Sequence, residues 1–539
     1  MTVRGEIRRR LDLPLLAFFV LLPILCLDVA RVAFIESHWD EDACMTIGWL
    51  LSKGEKLYGG VFSHHMPLDY VPSWALACVF GARFEIFRGF MIVLWAIVCA
   101  ALFLIGRRRE PKTSDLIPFL FAVLTSQWLT YWMGQMMLVE SYWGYAVVIL
   151  LALLGTPLRL PAAGVSLGDG LAVGALLGFL LSASPACAPV AACLVLWIFR
   201  EARWRSRWRG LLAGFGGWAV LFLIWCAGHV DLGQWYVDAV RFNAVVYARF
   251  SGLEGPPALA FAAKALRDNA GYFVGALTWG NFEQYFEGLM KLSVLGWVGW
   301  NAARRRFFDA AWWAVFIVAL KARSERAADA VPFHGAPFYL VATLLLCREL
   351  SLLWAASRSR PGWGRPLLLS LLAGFFLFPT LFATAFAASS LKRYAGRNVQ
   401  YDMLVAALRN CTEPSDRIAV FPFYPRFYLD SGRLPAVPNV FYLPWQEAWP
   451  PQREATMAAL ALNRPKAVVI QDTAVWGIPW SGYGKDVDSW VRRNYLSVAK
   501  SADPGEELRI ALWVRKDAAA AFVVCAQNGR SVVPPARSR

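Results

Sequence analysis

The sequence predicts a polytopic α-helical membrane protein of about eleven spans, N-terminus inside and C-terminus outside, with a small C-terminal extracytoplasmic α/β domain. Three observations predict it. The 539 residues are 58% hydrophobic and only 17% charged, against about 25% charged in soluble domains, so the apolar excess needs lipid as its solvent. The 26 Trp, 36 Phe and 17 Tyr suit a chain that crosses the bilayer interface repeatedly. The 54 Lys and Arg exceed the 38 acids by a net +16, and they sit in short clusters between apolar runs. This composition excludes a disordered, collagen-like or disulfide-stapled secreted chain.

Apolar runs of span length occupy residues 13–34, 86–105, 115–133, 209–228, 285–303, 333–352 and 366–389, with shorter ones at 142–158 and 306–320. The first is too long, and too poor in a small-residue cleavage site, for a simple signal peptide, so it reads as an anchor. The stretch 168–200 reads as two short helices turning at Ser182-Ala183-Ser184-Pro185. That choice puts Arg200, Arg203, Arg205, Arg207 and Arg209 on the same side as Arg8 to Arg10, whereas a single helix would place them outside, against the positive-inside rule. The outer face then receives a first outer loop at 35–72, a turn around Glu140, a long outer loop at 229–284 and everything after about 391. No base-reading motif accompanies the basic clusters, so nucleic acid is not an expected partner and membrane lipid is. The expected domains are 1–390 in the membrane and 391–539 outside it.

In the C-terminal part, Ile418 to Phe423, Lys466 to Ile470 and Leu508 to Val514 read as short buried strands, and 398–410, 453–463 and 486–495 as helices. The alternation describes an α/β domain without a Gly-rich phosphate fingerprint. Cys411 and Cys525 are its only cysteines. They can pair in an oxidising compartment if the geometry allows, which sequence alone leaves open.

The first outer loop holds the chemistry. After Glu36-Ser37-His38-Trp39 come three consecutive acids, Asp40-Glu41-Asp42. Ser37 and Asp40 stand at capping-box spacing, and Gly54 supplies a C-terminal stop. Met45, Ile47, Trp49, Leu50 and Leu51 predict a helix lying on the membrane between them. Acids in a first helical turn also complement the helix dipole, at about 0.3–1 kcal/mol each, with no catalytic role. A turn, Ser63-His64-His65-Met66-Pro67-Leu68, follows, and Arg88 opens the next span. Glu140 stands at a span end, where an ionisable residue is either functional or simply solvated.

This stretch resembles the membrane-embedded GT-C glycosyltransferases, specifically the family-39 relatives: protein O-mannosyltransferases, lipid A aminoarabinose transferases and RgtA/B/C/D-like enzymes. The family's first external loop carries an Asp-Glu pair, a Gly, a Tyr, a basic-x-Pro-Leu turn and an Arg near the next span. Those positions are here Asp40-Glu41, Gly54, Tyr58, His64 or His65 with Pro67-Leu68, and Arg88. The match covers about residues 36–90; the remaining spans and the outer domain match in architecture only. Glu140 falls where the family often has an acid facing the first loop, which makes it a further candidate catalytic residue, and His64-His65 stands where many relatives have Lys.

The resemblance implies that 1–390 is the catalytic domain and that a sugar moves from a polyprenyl-phosphate donor to an acceptor hydroxyl of a glycan, lipid or protein. It places the chain in the bacterial inner (plasma) membrane. Phosphate is a good leaving group that asks mainly for positive charge, and the acceptor needs a carboxylate base. Asp40 is the expected base, Glu41 orients the acceptor, and direct displacement inverts the anomeric centre. Donor phosphate is assigned to His64, His65 and Arg88, with Arg241, Arg249 and Lys264 as alternative partners; any one of these is also readable as an interface-snorkelling cation. The scheme requires no cofactor or metal, and an adjacent His pair lacks the spacing of a metal site, although a divalent ion is compatible with it. Two other classes compete. A transporter or flippase of lipid-linked sugars predicts ionisable residues buried at mid-membrane, and a non-catalytic scaffold predicts scattered acids and arginines with no cavity between them.

Overall fold

The structure, a computed structural model, describes residues 13–34, 39–109, 116–126, 137–160, 164–250, 282–321, 332–358, 401–500 and 509–530. The expected span at 366–389, the loop beyond Phe250 and Lys264 lie outside the described residues. The chain divides into two compact units. One comprises Met1–Glu36, Arg88–Leu221 and Gly255–Ser389; the other comprises Ser37–Phe87, Phe222–Glu254 and Ser390–Arg539.

The first unit is helical. Its helices are Leu13–Ala33, the greater part of Phe84–Arg109, Leu116–Leu124, Val139–Leu154, Leu167–Ala183, Ala188–Arg200, Trp208–His229 as far as Leu221, Phe282–Ala303, Phe307–Lys321 and Ala336–Arg358. Among the described residues, three stretches, Phe84–Arg109, Trp208–His229 and Ala336–Ala356, are long and apolar enough to cross a membrane. Leu212, Val220 and Leu221 on the second expose 61%, 57% and 67% of their surface, which only a lipid solvent makes favourable on this scale. The Val139–Leu154 helix lies at the centre, with every residue but Ile149 buried. Between 167 and 200 the chain forms two helices separated at Pro185–Cys187, since Pro185 cannot continue the first.

Basic residues collect at one end of this unit. Arg203 donates to Leu154 O at 2.8 Å, Arg109 to Leu153 O, Arg207 to Val165 O at 2.8 Å, and Arg348 to Leu158 O at 3.0 Å. Arg108 pairs with Asp169 at 3.1 Å and Arg200 with Asp309 at 2.6 Å. Asp169 also closes a capping box with Ser166. Glu140 stands at the opposite end of the Val139–Leu154 helix, about 21 Å from Leu154 at 1.5 Å per residue. The interior of this unit carries ionisable groups at two places. Ser293 Oγ donates to Glu349 at 2.8 Å, and Lys291 pairs with Glu287 at 3.2 Å. Each polar group has a neighbour one turn away or on the adjacent helix, which makes its burial tolerable.

Sequence reading also passed over a stripe of small residues. Gly170, Gly174 and Gly178 recur every fourth residue along one helix; the first two lie against the Arg207–Phe215 stretch that holds Gly210 and Gly214, and Gly178 lies against Trp218. A Cβ at Gly174 would lie 2.8 Å from the Leu211 carbonyl carbon and 2.9 Å from Phe215 N; at Gly214 the corresponding distances are 2.8 Å to Leu171 C and 2.9 Å to Ala175 N. Backbone-to-backbone packing of this kind drives helix association where lipid offers no hydrophobic contrast. Gly174→Leu should therefore pry these helices apart and lower stability by at least about 1–3 kcal/mol. Thermal unfolding in detergent tests this, and an unchanged midpoint would refute the close approach.

The second unit joins three separated parts of the chain. Its sheet has the order β1-β2-β4-β3, with β1 Ile418–Phe421, β2 Ala467–Asp472, β3 Tyr495–Lys500 and β4 Arg509–Arg515. β1 and β2 are parallel, joined through the Pro450–Asn463 helix, and β4 pairs antiparallel with both β2 and β3. Three strands were expected. The fourth was missed because only Tyr495 of β3 is buried at its start, so the run lacks the apolar signature of the inner strands. A Cys411–Cys525 disulfide, with Cα atoms 5.7 Å apart, ties the Ala519–Arg530 helix to the chain ahead of β1.

Candidate functional site

The Trp39–Ser52 helix carries the three acids in its first turn. It does not lie on a membrane surface as expected: residues Glu41 to Leu51 are all buried in protein. The helix is apolar on every face from Ala43 to Leu51 except at Thr46, and such a helix is a core element rather than an interfacial one. It packs on the Pro67–Tyr70 turn, on the Val71–Phe80 helix and on the Arg426–Ser431 helix of the same unit. Ser73 Oγ donates to Cys44 O at 2.8 Å and Thr46 Oγ1 to Pro425 O at 3.2 Å.

The acids are not equivalent. Glu41 and Asp42 are 0% and 3% exposed, whereas Asp40 is half-buried and accepts the indole N–H of Trp39 at 3.1 Å. Successive helical residues point about 100° apart, so only one of the three reaches outward. Asp42 faces a cation that sequence reading missed. Arg426 pairs with Asp430 at 2.8 Å, covers the Phe84 ring at 3.8 Å and lies 5.7 Å from the ring of Tyr401. Burial pulls this guanidinium down, but Asp430, Tyr401 and Asp42 outweigh it and hold it above its ordinary value. The i,i+4 pair in Pro425-Arg426-Phe427-Tyr428-Leu429-Asp430 was the available signal.

The histidine turn is pinned from several directions. Tyr58, in the left-handed region at φ +70°, donates its hydroxyl to His65 O at 2.5 Å. Leu57 N donates to His229 O at 2.9 Å and Phe62 N to Pro438 O at 3.0 Å. His65 Nδ1 lies 3.3 Å from the buried Asp69 carboxylate, which makes an ion pair when the imidazole is protonated. Asn243 donates to His64 O at 2.7 Å, and the His64 ring lies 4.9 Å from Tyr247. Asn243 opens the second of two π-helical turns, Tyr236–Arg241 and Asn243–Tyr247, a winding frequent at functional sites. Arg241 and Arg249 are both exposed on this segment, Arg241 over the Trp449 ring at 5.6 Å.

Asp40, Glu41, His64, His65, Arg241 and Arg249 thus all belong to one unit. Arg88 and Glu140 are buried residues of the other. Glu140 opens the Val139–Leu154 helix and lies 3.3 Å from His334 Nδ1. Among the described residues, no three His, Cys, Asp or Glu side chains come together as metal ligands would.

Asp238 is a second residue that the sequence did not single out. It is fully buried, and its Oδ1 accepts from Gln234 at 3.1 Å and Gln452 at 3.4 Å. Burial pushes its carboxyl up to about 6 against the opposing hydrogen bonds. A carboxyl raised on folding favours the protonated form, so its contribution is best below the unfolded value near 4 and is lost as pH rises through 6. Asp238→Asn should flatten stability between pH 4 and 6 and raise it by about 1–2 kcal/mol at neutral pH. Thermal melts across that range test this; a parallel downward shift at every pH would contradict it.

Solved structures share the fold of this chain. Among solved structures, the chain is similar to ArnT from Cupriavidus metallidurans in the apo state, with a TM-score of 0.52 and 14% identity, covering 94% of this chain and 98% of that one. It is similar to the same enzyme bound to undecaprenyl phosphate, with a TM-score of 0.52, 13% identity and coverage of 93% and 99%. It is also similar to the Archaeoglobus fulgidus oligosaccharyltransferase tethered with an acceptor peptide, with a TM-score of 0.51, 13% identity and coverage of 93% and 74%. At such identities the likeness is one of fold. No family model and no curated protein matches the sequence.

Proposed function

We propose that the chain is a glycosyltransferase that moves a sugar from a polyprenyl-phosphate donor to an acceptor hydroxyl at the outer face of the membrane. The fold supports the reaction class, and one similar structure holds undecaprenyl phosphate. The observation that carries the proposal is the acid turn: of three consecutive carboxylates, Asp40 alone is not buried, on the unit that also carries His64 and His65. Asp40 takes the proton of the acceptor hydroxyl, Glu41 orients the site, and attack opposite the departing phosphate inverts the anomeric centre. His64 and His65, with Arg88, Arg241, Arg249 and Lys264 as further candidates, carry positive charge to the leaving phosphate. Glu140, 3.3 Å from His334, is a third candidate catalytic carboxylate.

The orientation rests on two supports. The basic residues share one end of the membrane unit, the end that stays cytoplasmic under the positive-inside rule. The Cys411–Cys525 disulfide belongs to an oxidising compartment, outside the plasma membrane. The scheme tolerates a divalent ion without needing one. A transporter reading draws on Glu349 and Lys291, but each has its counterpart inside the bundle. The test is label transfer: purified chain in nanodiscs, polyprenyl-phosphate donors carrying labelled hexose, pentose or aminopentose, and surface glycans, lipid and protein as acceptors. Label should move to one acceptor class; flipping of donor without transfer would overturn the reading.

A further inference from the structure

His64 and His65 share one turn but have different neighbours. His65 is fixed through its backbone on both sides. Its N–H donates to Ser63 Oγ at 3.0 Å, and its carbonyl accepts the Tyr58 hydroxyl at 2.5 Å. Ser63 Oγ is in turn bonded to the Tyr70 hydroxyl. Pro67 then starts the Pro67–Tyr70 turn, which brings Asp69 back to His65 four residues on. The imidazole Nδ1 lies 3.3 Å from Asp69 Oδ2, and the His65 side chain is 21% exposed against 1% for Asp69.

A carboxylate taken out of water this completely needs an opposing charge. An imidazolium supplies it where a neutral imidazole does not. The groups that face the pair from the packed elements are of other kinds. Burial pushes the phenols of Tyr58 and Tyr70 well above their ordinary value, and Asp69 adds to the shift on each, so both stay neutral. Behind Tyr58 stand the Cys226 thiol and the Asp238 carboxylate, and behind Tyr70 the Cys44 thiol. None of these carries a positive charge. His64 is placed differently: its ring lies 4.4 Å from that of His65, 4.9 Å from Tyr247 and 5.9 Å from Phe242. A second positive charge beside an imidazolium is disfavoured, so the turn favours one proton, on His65.

We infer that Asp69 is a positioning residue: it keeps His65 protonated and fixed in direction, so that His65 rather than His64 presents positive charge to the donor phosphate. The inference rests on the glycosyltransferase reading for the identity of that anion, and it narrows the charge of the histidine turn to one imidazolium. Asp69 touches no substrate. The proton stays on the His65 ring and forms a charge-assisted hydrogen bond to a phosphate oxygen. Such a site binds its anion at low pH and loses it as pH rises through the His65 midpoint.

Diethyl pyrocarbonate, which acylates only the neutral imidazole, tests the pair in the full chain in nanodiscs. Peptide fragmentation by mass spectrometry reads His64 and His65 separately across pH. In the wild type His65 should become reactive about one unit or more above the ordinary histidine value of about 6.5, and His64 at a lower pH than His65. Asp69→Asn should lower the His65 midpoint by about one unit or more, with melting curves confirming that the variant folds. A wild-type His65 midpoint at or below about 6.5, a reversed order of the two histidines, or a midpoint that Asp69→Asn leaves in place would overturn the inference. The first two results need no variant.

Undecaprenyl phosphate, added at the wild-type midpoint, should slow acylation of His65 several-fold, and undecaprenol, which lacks the charge, should not. Absence of protection, or equal protection by the alcohol, would overturn the assignment to an anion. In label transfer the donor KM should rise about tenfold for each pH unit above the His65 midpoint. Asp69→Asn should move that rise to lower pH, and His65→Lys should remove it; a rise that persists with Lys would count against the pair. If the wild type transfers nothing, the glycosyltransferase reading fails on its own, and the titration and protection arms still decide the role of Asp69.

Discussion

Asp40→Asn is expected to lower sugar transfer by about two to four orders of magnitude, the usual contribution of a positioned general base, while the protein still inserts and folds. The expectation of intact folding has a structural basis. Asp40 is the half-buried acid of the first turn, and the amide oxygen of Asn can keep the bond from the Trp39 indole. The lost charge forgoes about 0.3–1 kcal/mol of interaction with the helix dipole, too little to unfold a domain. Asp42→Asn makes the informative contrast. Its side chain faces Arg426 and Tyr401, so its loss should act on stability more than on turnover. Transfer assays on both variants, beside their melting curves, separate the roles. Activity within a few-fold of wild type in Asp40→Asn would remove Asp40 as the base.

Gly48→Ala is the second large effect, and it acts through packing. A Cβ at position 48 would lie 2.5 Å from Ser73 Cβ and 2.6 Å from the backbone N of Trp74, closer than real contacts allow. Rotating the Ser73 hydroxyl cannot relieve a clash with its own Cβ and with backbone. The Trp39–Ser52 and Val71–Phe80 helices must separate, breaking the Ser73 bonds to Cys44 O and Tyr70 O. Overpacking of this kind costs about 1–3 kcal/mol, and a displacement of about 1 Å at the acid turn can cost a further hundredfold in rate. Gly216→Ala, where an added Cβ meets nothing within 4 Å, is the control. Equal melting points and equal transfer rates for the two variants would show that the helices do not approach this closely.

Much of the architecture was legible because lipid imposes a strong constraint. A helix in lipid must be apolar on the faces it presents, and the arginines must collect at one end. Both patterns are written one residue at a time, so the helices at Leu13–Ala33, Trp208–His229 and Ala336–Arg358 could be placed from composition. The acid turn and the histidine turn were likewise visible as local motifs. The partners of those motifs were not. Arg426 lies far along the chain from Asp42, and Asp238 meets Gln452 across 214 residues. No local periodicity encodes such a meeting. The small-residue stripe at Gly170, Gly174 and Gly178 was readable in principle, but its value depends on the helix that holds Gly210 and Gly214 lying against it.

The sequence by itself determined the solvent, the helical class, the end of the membrane unit that gathers positive charge, and the short run of carboxylates with chemical potential. These follow from composition and from periodicities of a few residues, which survive whatever the chain does at long range. Only the tertiary structure decided that the Trp39–Ser52 helix is buried in protein rather than laid on lipid, and that Asp40 is the carboxylate left facing outward. It alone gathered the first loop, the 222–254 segment and the C-terminal residues into one unit. The reason is physical: which face of an apolar helix is covered depends on elements hundreds of residues away, and a carboxylate becomes a base or a buried ion according to that cover.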